Sequence, residues 1–311
     1  MLTEARSSVV SGILKKPIGD VILSAAKDLL FIVQYKKYRS FAPLRMTAFK
    51  GLFSILMVAL YITAALVSAQ EPAQTPNPSQ LAPRPRVVSP KAQDILDKTI
   101  QALGGTAFLS FKRLTTTGRA FSIEDENTVG MAPYESWMEY PDKRRFSYGK
   151  KPPVVLINSG ERGWELDRYG RTTQKRDQLL RWQLTTRYSL ENLLRLRIHE
   201  PGVLIQDSGT DFVDQFPARV VTISDAREVE IKLYVNKTSY LPVRIQYRVR
   251  NAQGDDWDVY ADAYADYRTF QGVNTPMHIT RYLNDERISD SFRSTAKYDE
   301  DYPASYFQSP Y

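Results

Sequence analysis

The sequence predicts a mainly β (α+β) domain, an antiparallel sheet preceded by one helix and interrupted by a helical insert. Three observations carry this prediction. Beyond residue 88, apolar residues recur at helical spacing only over 89–105 and 176–202. From Leu114 onward, outside that insert, the period is two. Strict alternation gives each strand one buried face, the pattern of antiparallel rather than parallel sheets.

Ser89-Pro90 opens the first helix, with a serine to cap it and a proline at the first helical position, where no N–H is needed. Ala92, Ile95, Leu96, Ile100 and Leu103 form its single apolar stripe, and Gly104-Gly105 ends it. Tyr134, Ser136, Met138 and Tyr140 then alternate with Glu135, Trp137 and Glu139, and residues 152–174 read as strand, turn, strand, turn. Residues 176–202 read as two short helices split near Thr185–Ser189, with Ser189 as the second N-cap. Leu179, Leu180, Trp182, Leu184, Leu190, Leu193, Leu194 and Leu196 crowd this insert, which suits either a plug on one side of the sheet or a movable apolar lid. Further on, Val229, Ile231, Leu233 and Val235 share one face, as do Val243, Ile245, Tyr247 and Val249 on the next strand. The strand from Trp257 puts Val259, Ala261, Ala263 and Ala265 on one side. Asp256, Asp258, Tyr260, Asp262, Tyr264 and Asp266 lie on the other, which is expected to be a solvated face paired with arginines of neighbouring strands.

The N-terminal part has a different character. Lys50 precedes an uncharged run from Leu52 to Val67, and Val67-Ser68-Ala69 places small residues where a signal peptidase reads, with cleavage between Ala69 and Gln70. Residues 46–69 are therefore expected to be a signal peptide, exporting the protein to the periplasm from a start at Met46, with 1–45 an extension foreign to the mature protein. The alternative is an uncleaved inner-membrane anchor facing the periplasm, since basic residues precede the run. Residues 70–88, rich in Pro, Gln and Ser, read as a disordered linker, and 89–311 as the folded domain. The formal charge of +7 belongs to the N-terminal part: residues 70–311 hold 33 basic against 32 acidic side chains. A polyanion site, and with it nucleic acid as a partner, is set aside. No cysteine is present, so disulfides, thiolate metal sites, a Cys nucleophile and a lipid-anchoring Cys are excluded.

Five short stretches in order, "YPDKRRF" (140–146), "SGERGWELD" (159–167), "VNKTSYLPVRIQY" (235–247), "YADYRTFQGVNTPMHI" (264–279) and "YFQSP" (306–310), resemble signatures of the LolA/LolB-like family of outer-membrane lipoprotein-sorting proteins. The resemblance implies a curved sheet forming an incomplete β-barrel, with lid helices over its open side. It also implies an apolar cavity that shields lipid or lipoprotein acyl chains, and exchange with inner- and outer-membrane lipoprotein transport components, by a monomer. The expected cavity and lid residues are Leu179, Leu180, Trp182, Leu184, Leu193, Leu194, Tyr134, Met138, Val243, Ile245 and Tyr247. Arg144 and Arg145 are candidates for a lid-holding arginine, a role the resemblance implies. A rival on the same fold is a periplasmic sensor or protein-interaction module, RseB-like.

Catalytic signatures are missing: no Gly-x-Ser-x-Gly, phosphate loop or His-Glu-x-x-His occurs. His199 follows a helix and is expected to cap it, and His278 falls on a strand. The aspartates near 256–266 recur with period two, a row along a strand rather than a calcium loop, so neither metal nor cofactor is expected, and no catalysis. N-terminal sequencing of the protein from its host should give Gln70 or a residue next to it. A chain starting at Met1 and sedimenting with the inner membrane would favour the anchor.

Overall fold

The computed structural model describes residues 84–251, 254 and 256–309. The signal segment 46–69, its cleavage point at Ala69–Gln70, the extension 1–45 and most of the linker lie outside the described residues. The end of the linker is ordered, unlike the expectation for 70–88: Val87–Val88 form a strand, β1, parallel to residues 204–205. Arg86 Nε secures it by donating to the carbonyl of Ile198 at 2.5 Å.

Helix α1 (Pro90–Leu103) follows, with Ser89 Oγ accepting from the Ala92 N–H. Ala92, Ile95, Leu96, Thr99, Ile100 and Leu103 are buried, the predicted stripe plus one threonine whose hydroxyl bonds the Ile95 carbonyl. Gly104 closes it at φ 126, and a Cβ there would meet the Gly272 carbonyl at 2.3 Å. A five-residue helix, α2 (Thr106–Ser110), leads to the sheet.

Six strands precede the insert: β2 (Arg113–Glu124), β3 (Asn127–Glu139), β4 (Lys143–Tyr148), β5 (Val154–Ser159), β6 (Arg162–Asp167) and β7 (Gly170–Thr173). The insert comprises α3 (Arg176–Arg187), α4 (Leu190–Arg195) and a 3-10 turn, Arg197–His199. Seven strands follow: β8 (Leu204–Val213), β9 (Phe216–Ser224), β10 (Glu230–Asn236), β11 (Pro242–Arg250), β12 (Trp257–Phe270), β13 (Val273–Leu283) and β14 (Glu286–Tyr298). Together the described strands make one curved sheet in the order β1-β8-β9-β10-β11-β12-β13-β14-β2-β3-β4-β5-β6-β7, not closed into a barrel. Every pairing but β1–β8 is antiparallel. After the edge strand β1, the chain thus enters mid-sheet at β2, winds outward to the β7 edge, and after the insert resumes beside β1 and returns to meet β2.

The core lies on the inner face. Helices α1, α2 and α4 pack with Ile205, Val221, Ile223, Ile231, Leu233, Val235 and Ile245 from β8–β11. A second cluster, Ala132, Tyr134, Phe146, Tyr148, Val154 and Leu156, belongs to β3–β5. The C-terminal turn Ala304–Phe307 lies against β4 and β5, with Tyr306 edge-on to Trp137 at 5.5 Å and Phe307 buried.

Two local irregularities revise the expected faces. Between β10 and β11 the register shifts at Tyr234/Val235, so Val243 is an extra residue. It packs with Ala218, Val220 and Tyr234 in a separate cluster rather than beside Ile245 in the main core, because a one-residue slip reverses a strand's faces. On β12 the alternation is as read but its inward side is the Asp/Tyr side: Tyr260 pairs with Tyr247, Asp262 with Ile245, and Tyr264 belongs to the main core. Tyrosine rings supply the inner face with volume that alanines cannot.

Among the described glycines the tightest site is Gly118, where a Cβ would lie 2.1 Å from the Phe292 carbonyl oxygen, next to the register shift between Arg293 and Thr295. Backbone cannot give way as a side chain can. Gly118→Ala should therefore destabilise the domain by about 1–3 kcal/mol, the range for overpacking, read as a lowered urea midpoint with an unaltered m-value.

Candidate functional site

The helices that fill the inner face over β8–β11 leave it uncovered further along. An open cavity of about 150 Å³ remains there, between the insert and strands β2, β3, β4, β13 and β14. Its floor follows from register. Leu114 stands opposite Met138, Ala120 opposite Ala132, Ser136 opposite Phe146, and Tyr134 opposite Tyr148, all on one face. Ile279 and Arg281 of β13 and Ser289, Ser291 and Arg293 of β14 continue it, and Thr185, Thr186, Ser189 and Glu191 of the insert form the roof.

Of the residues expected to line such a cavity, Tyr134 and Met138 do so. The leucines of the insert do not: Leu193 and Leu194 are fully buried in the main core, Leu184 packs against it, and Leu180 is 52% exposed. Leu179 is half-buried and Trp182 buried, both away from the cavity lining. Ile245 and Tyr247 are core, and Val243 lies on the outer face. Leucine density therefore marks where α4 plugs the sheet. The cavity roof is made by the polar residues at the break between α3 and α4, a signal that hydrophobic patterning does not carry.

The arginine pair in "KRRF" separates by strand alternation. Arg145 points outward, with its guanidinium 5.3 Å over the Tyr306 ring and a donor 3.5 Å from the Tyr306 carbonyl. It secures the C-terminal turn, not the insert. Arg144 points into the cavity and makes no hydrogen bond or ion pair among the described residues, its buried Nε included. The residues that hold the insert are others. Asn192 Nδ2 donates to the carbonyls of Pro141 at 2.7 Å and Thr186 at 2.8 Å. Arg195 donates to the Phe111 carbonyl and lies 4.0 Å over its ring and 5.3 Å over Tyr140. Tyr188 donates to buried Asp225 at 2.6 Å. On α3, Gln183 Nε2 donates to the Gly160 carbonyl at 3.1 Å.

Charge is concentrated around this cavity. Burial pulls Arg144 down to about 9, and the only other charge acting on it is the like charge of Arg281. Arg281 pairs with Asp262 at 3.4 Å. Asp262 keeps 28% of its side-chain surface, yet Tyr247, Tyr260 and Tyr264 surround it on the inner face. Desolvation therefore raises its carboxyl above the ordinary value, with Arg281 opposing. Burial also disfavours a charged Arg293, but the fields of Tyr134 and Glu191 outweigh it and raise the group, whose guanidinium donates to the Pro276 carbonyl at 3.1 Å. Glu191 makes no hydrogen bond or ion pair among the described residues.

The outer face carries an open groove of about 310 Å³, lined by Val213, Phe216, Pro217, Val243, Ala263 and Ala265 among others. Phe212 and Phe216 flank the β8–β9 turn and are 68% and 71% exposed. Beside it, His278 Nε2 meets both Asp290 (2.9 Å) and Thr280 (3.2 Å). A relay needs its acid and its nucleophile on different ring nitrogens, so this cluster is not one. His199 is exposed, and its side chain makes no hydrogen bond among the described residues, so it caps none of their carbonyls. Among the described residues no group of three or more His, Asp or Glu side chains could hold a metal ion.

No family model matches the chain, and no curated protein matches it in sequence. Solved structures do share its architecture. A DUF1329 family protein from Desulfovibrio piger is similar over 70% of this chain and 97% of its own, at 10% identity and a TM-score of 0.50. A LolA superfamily protein from Nitrosomonas europaea is similar over the same shares, at 16% identity and a TM-score of 0.44. At such identities the likeness concerns the fold alone.

Two outcomes are expected from this placement. Leu193→Ala should cost about 2–5 kcal/mol, as for any leucine lost from a closed core, whereas Leu180→Ala should stay within about 0.5 kcal/mol of wild type; urea unfolding of both variants checks this. Asp262 also gives a sign for pH dependence. Its raised carboxyl holds a proton in the native state where the unfolded chain has lost it, so its contribution to stability declines as pH rises from the ordinary carboxylate range through the raised value. Asp262→Asn should remove that decline from the stability–pH curve.

Proposed function

We propose that this is a periplasmic, non-enzymatic carrier-like protein whose inner cavity shields acyl chains of a lipid or lipoprotein. The observation that supports the reading is the unfilled stretch of inner face under the insert, floored by Leu114, Met138, Tyr134, Phe146 and Ile279. Shielding is the only chemistry required: each methylene kept from water is worth about 0.8 kcal/mol, so acyl chains do not cross an aqueous compartment unaided.

The present volume suits the closed, unloaded state. About 150 Å³ is the size of a cavity that takes one benzene ring, too small for an acyl chain of ordinary length. Loading therefore requires the roof to move. α4 is fixed by Leu190, Leu193 and Leu194, each at most 2% exposed. α3 buries only Trp182, so α3 is the part that swings, about the break at Tyr188–Ser189.

A second reading, a partner-binding module, draws on the exposed Phe212 and Phe216 beside the outer groove. Large exposed apolar residues gathered at one place mark interaction sites. Native mass spectrometry of the purified protein separates the two: co-purified lipid is expected, and its absence together with an unresponsive fluorescent acyl probe would favour the partner-binding module. Met138→Trp, which fills the cavity floor, should abolish probe binding while costing no more than about 1–3 kcal/mol of stability.

A further inference from the structure

The geometry points to a ligand that is an anionic amphiphile, a single negative headgroup on an alkyl chain, held by Arg144 at the cavity wall. This rests on the cavity being the acyl site and adds the chemical class of what enters it. Arg144 sits at the β4 position opposite Met138, on the same face as Phe146, whose ring lies 5.5 Å from its guanidinium. Its cationic end therefore adjoins the apolar floor, the arrangement a molecule with one charged and one apolar end would need.

Of the three arginines of the cavity, Arg144 is the one without a polar partner among the described residues. Arg281 has Asp262, and Arg293 has the Pro276 carbonyl and the field of Glu191. Asp290 is turned away, its carboxylate accepting from Thr280, His278 and Arg287. Arg144, Arg281 and Arg293 are matched in number by Glu191, Asp290 and the neighbouring Asp262, but among the described residues no carboxylate pairs with Arg144. A guanidinium with a buried, unpartnered Nε and only another cation acting on it is costly to keep. A monoanion removes the cost, and guanidinium recognises both carboxylates and phosphates through paired N–H donors. A fatty acid offers the first and a phospholipid-type ester the second.

The experiment compares three probes with one chain length, dodecanoate, dodecyl phosphate and dodecanol, by calorimetry on the wild-type protein, Arg144→Met and Arg144→Lys. Wild type should bind at least one anion about tenfold or more tightly than dodecanol, the strength of a charge-assisted bond; which anion identifies the headgroup. Arg144→Met should collapse that ratio towards one, and Arg144→Lys should keep part of it. Without ligand, Arg144→Met should unfold at a higher midpoint than wild type, because an unpaired charge has been removed, and this outcome distinguishes a binding residue from a structural one. Dodecanol bound as tightly as the anions would overturn the inference and leave acyl shielding standing. So would an anion preference that survives in Arg144→Met. Binding of none of the three probes would overturn acyl shielding, and the inference with it.

Discussion

One helix cannot fill a trough of this width. Fourteen strands at about 4.8 Å spacing make a sheet about 60 Å across, whereas an α-helix with its side chains is about 10 Å thick. α1 covers the inner face of β8–β11, with α2 and α4 extending the cover. The strands β3–β5, further along the order, keep an aromatic cluster of their own apart from the helix-packed core. The position of the cavity, the need for an insert and the polarity of that insert's inner turn all follow from this mismatch between the filler and the surface to be filled.

Much of the architecture was legible because it rests on periodicity. The cap at Ser89, the stripe of α1, the break before Ser189, the alternation of β10 and that of β11 from Ile245 onward are read directly from residue spacing, and the structure has each of them. What periodicity could not supply is which side of an alternating strand faces inward when both sides have something to offer. β12 sets aspartates and tyrosines against alanines, and tyrosine volume decides, at the expense of desolvating Asp262. Nor could it find Val243, displaced by a bulge that leaves no mark in composition. Several hairpins were similarly quiet: Asp125-Glu126, Asp214-Gln215 and Asn284-Asp285 all take positive φ at both residues. Glycine, the usual sign of such turns, is absent from all three.

The site was less legible than the fold for a related reason. Leucine-rich segments announce burial, but not whether the burial is against protein or ligand. In the insert Leu184, Leu190, Leu193 and Leu194 went to the closed core, and the threonines, serine and glutamate between the helices face the open space. Polar roof, aromatic floor and an arginine at the wall form a lining that is incomplete by the standards of a protein interior.

The sheet's two free edges have a mechanical consequence. A closed barrel has its radius set by strand number and stagger, since every hydrogen-bonded ladder must meet around the ring. Here the order ends at β1 and β7, two residues at one margin and four at the other, with no seam between them. Nothing fixes the circumference. The wall can uncurl slightly by small changes of twist shared among many strand pairs, without parting a single ladder. Elastic bending, spread over the whole wall, is therefore open to this sheet where a closed barrel forbids it.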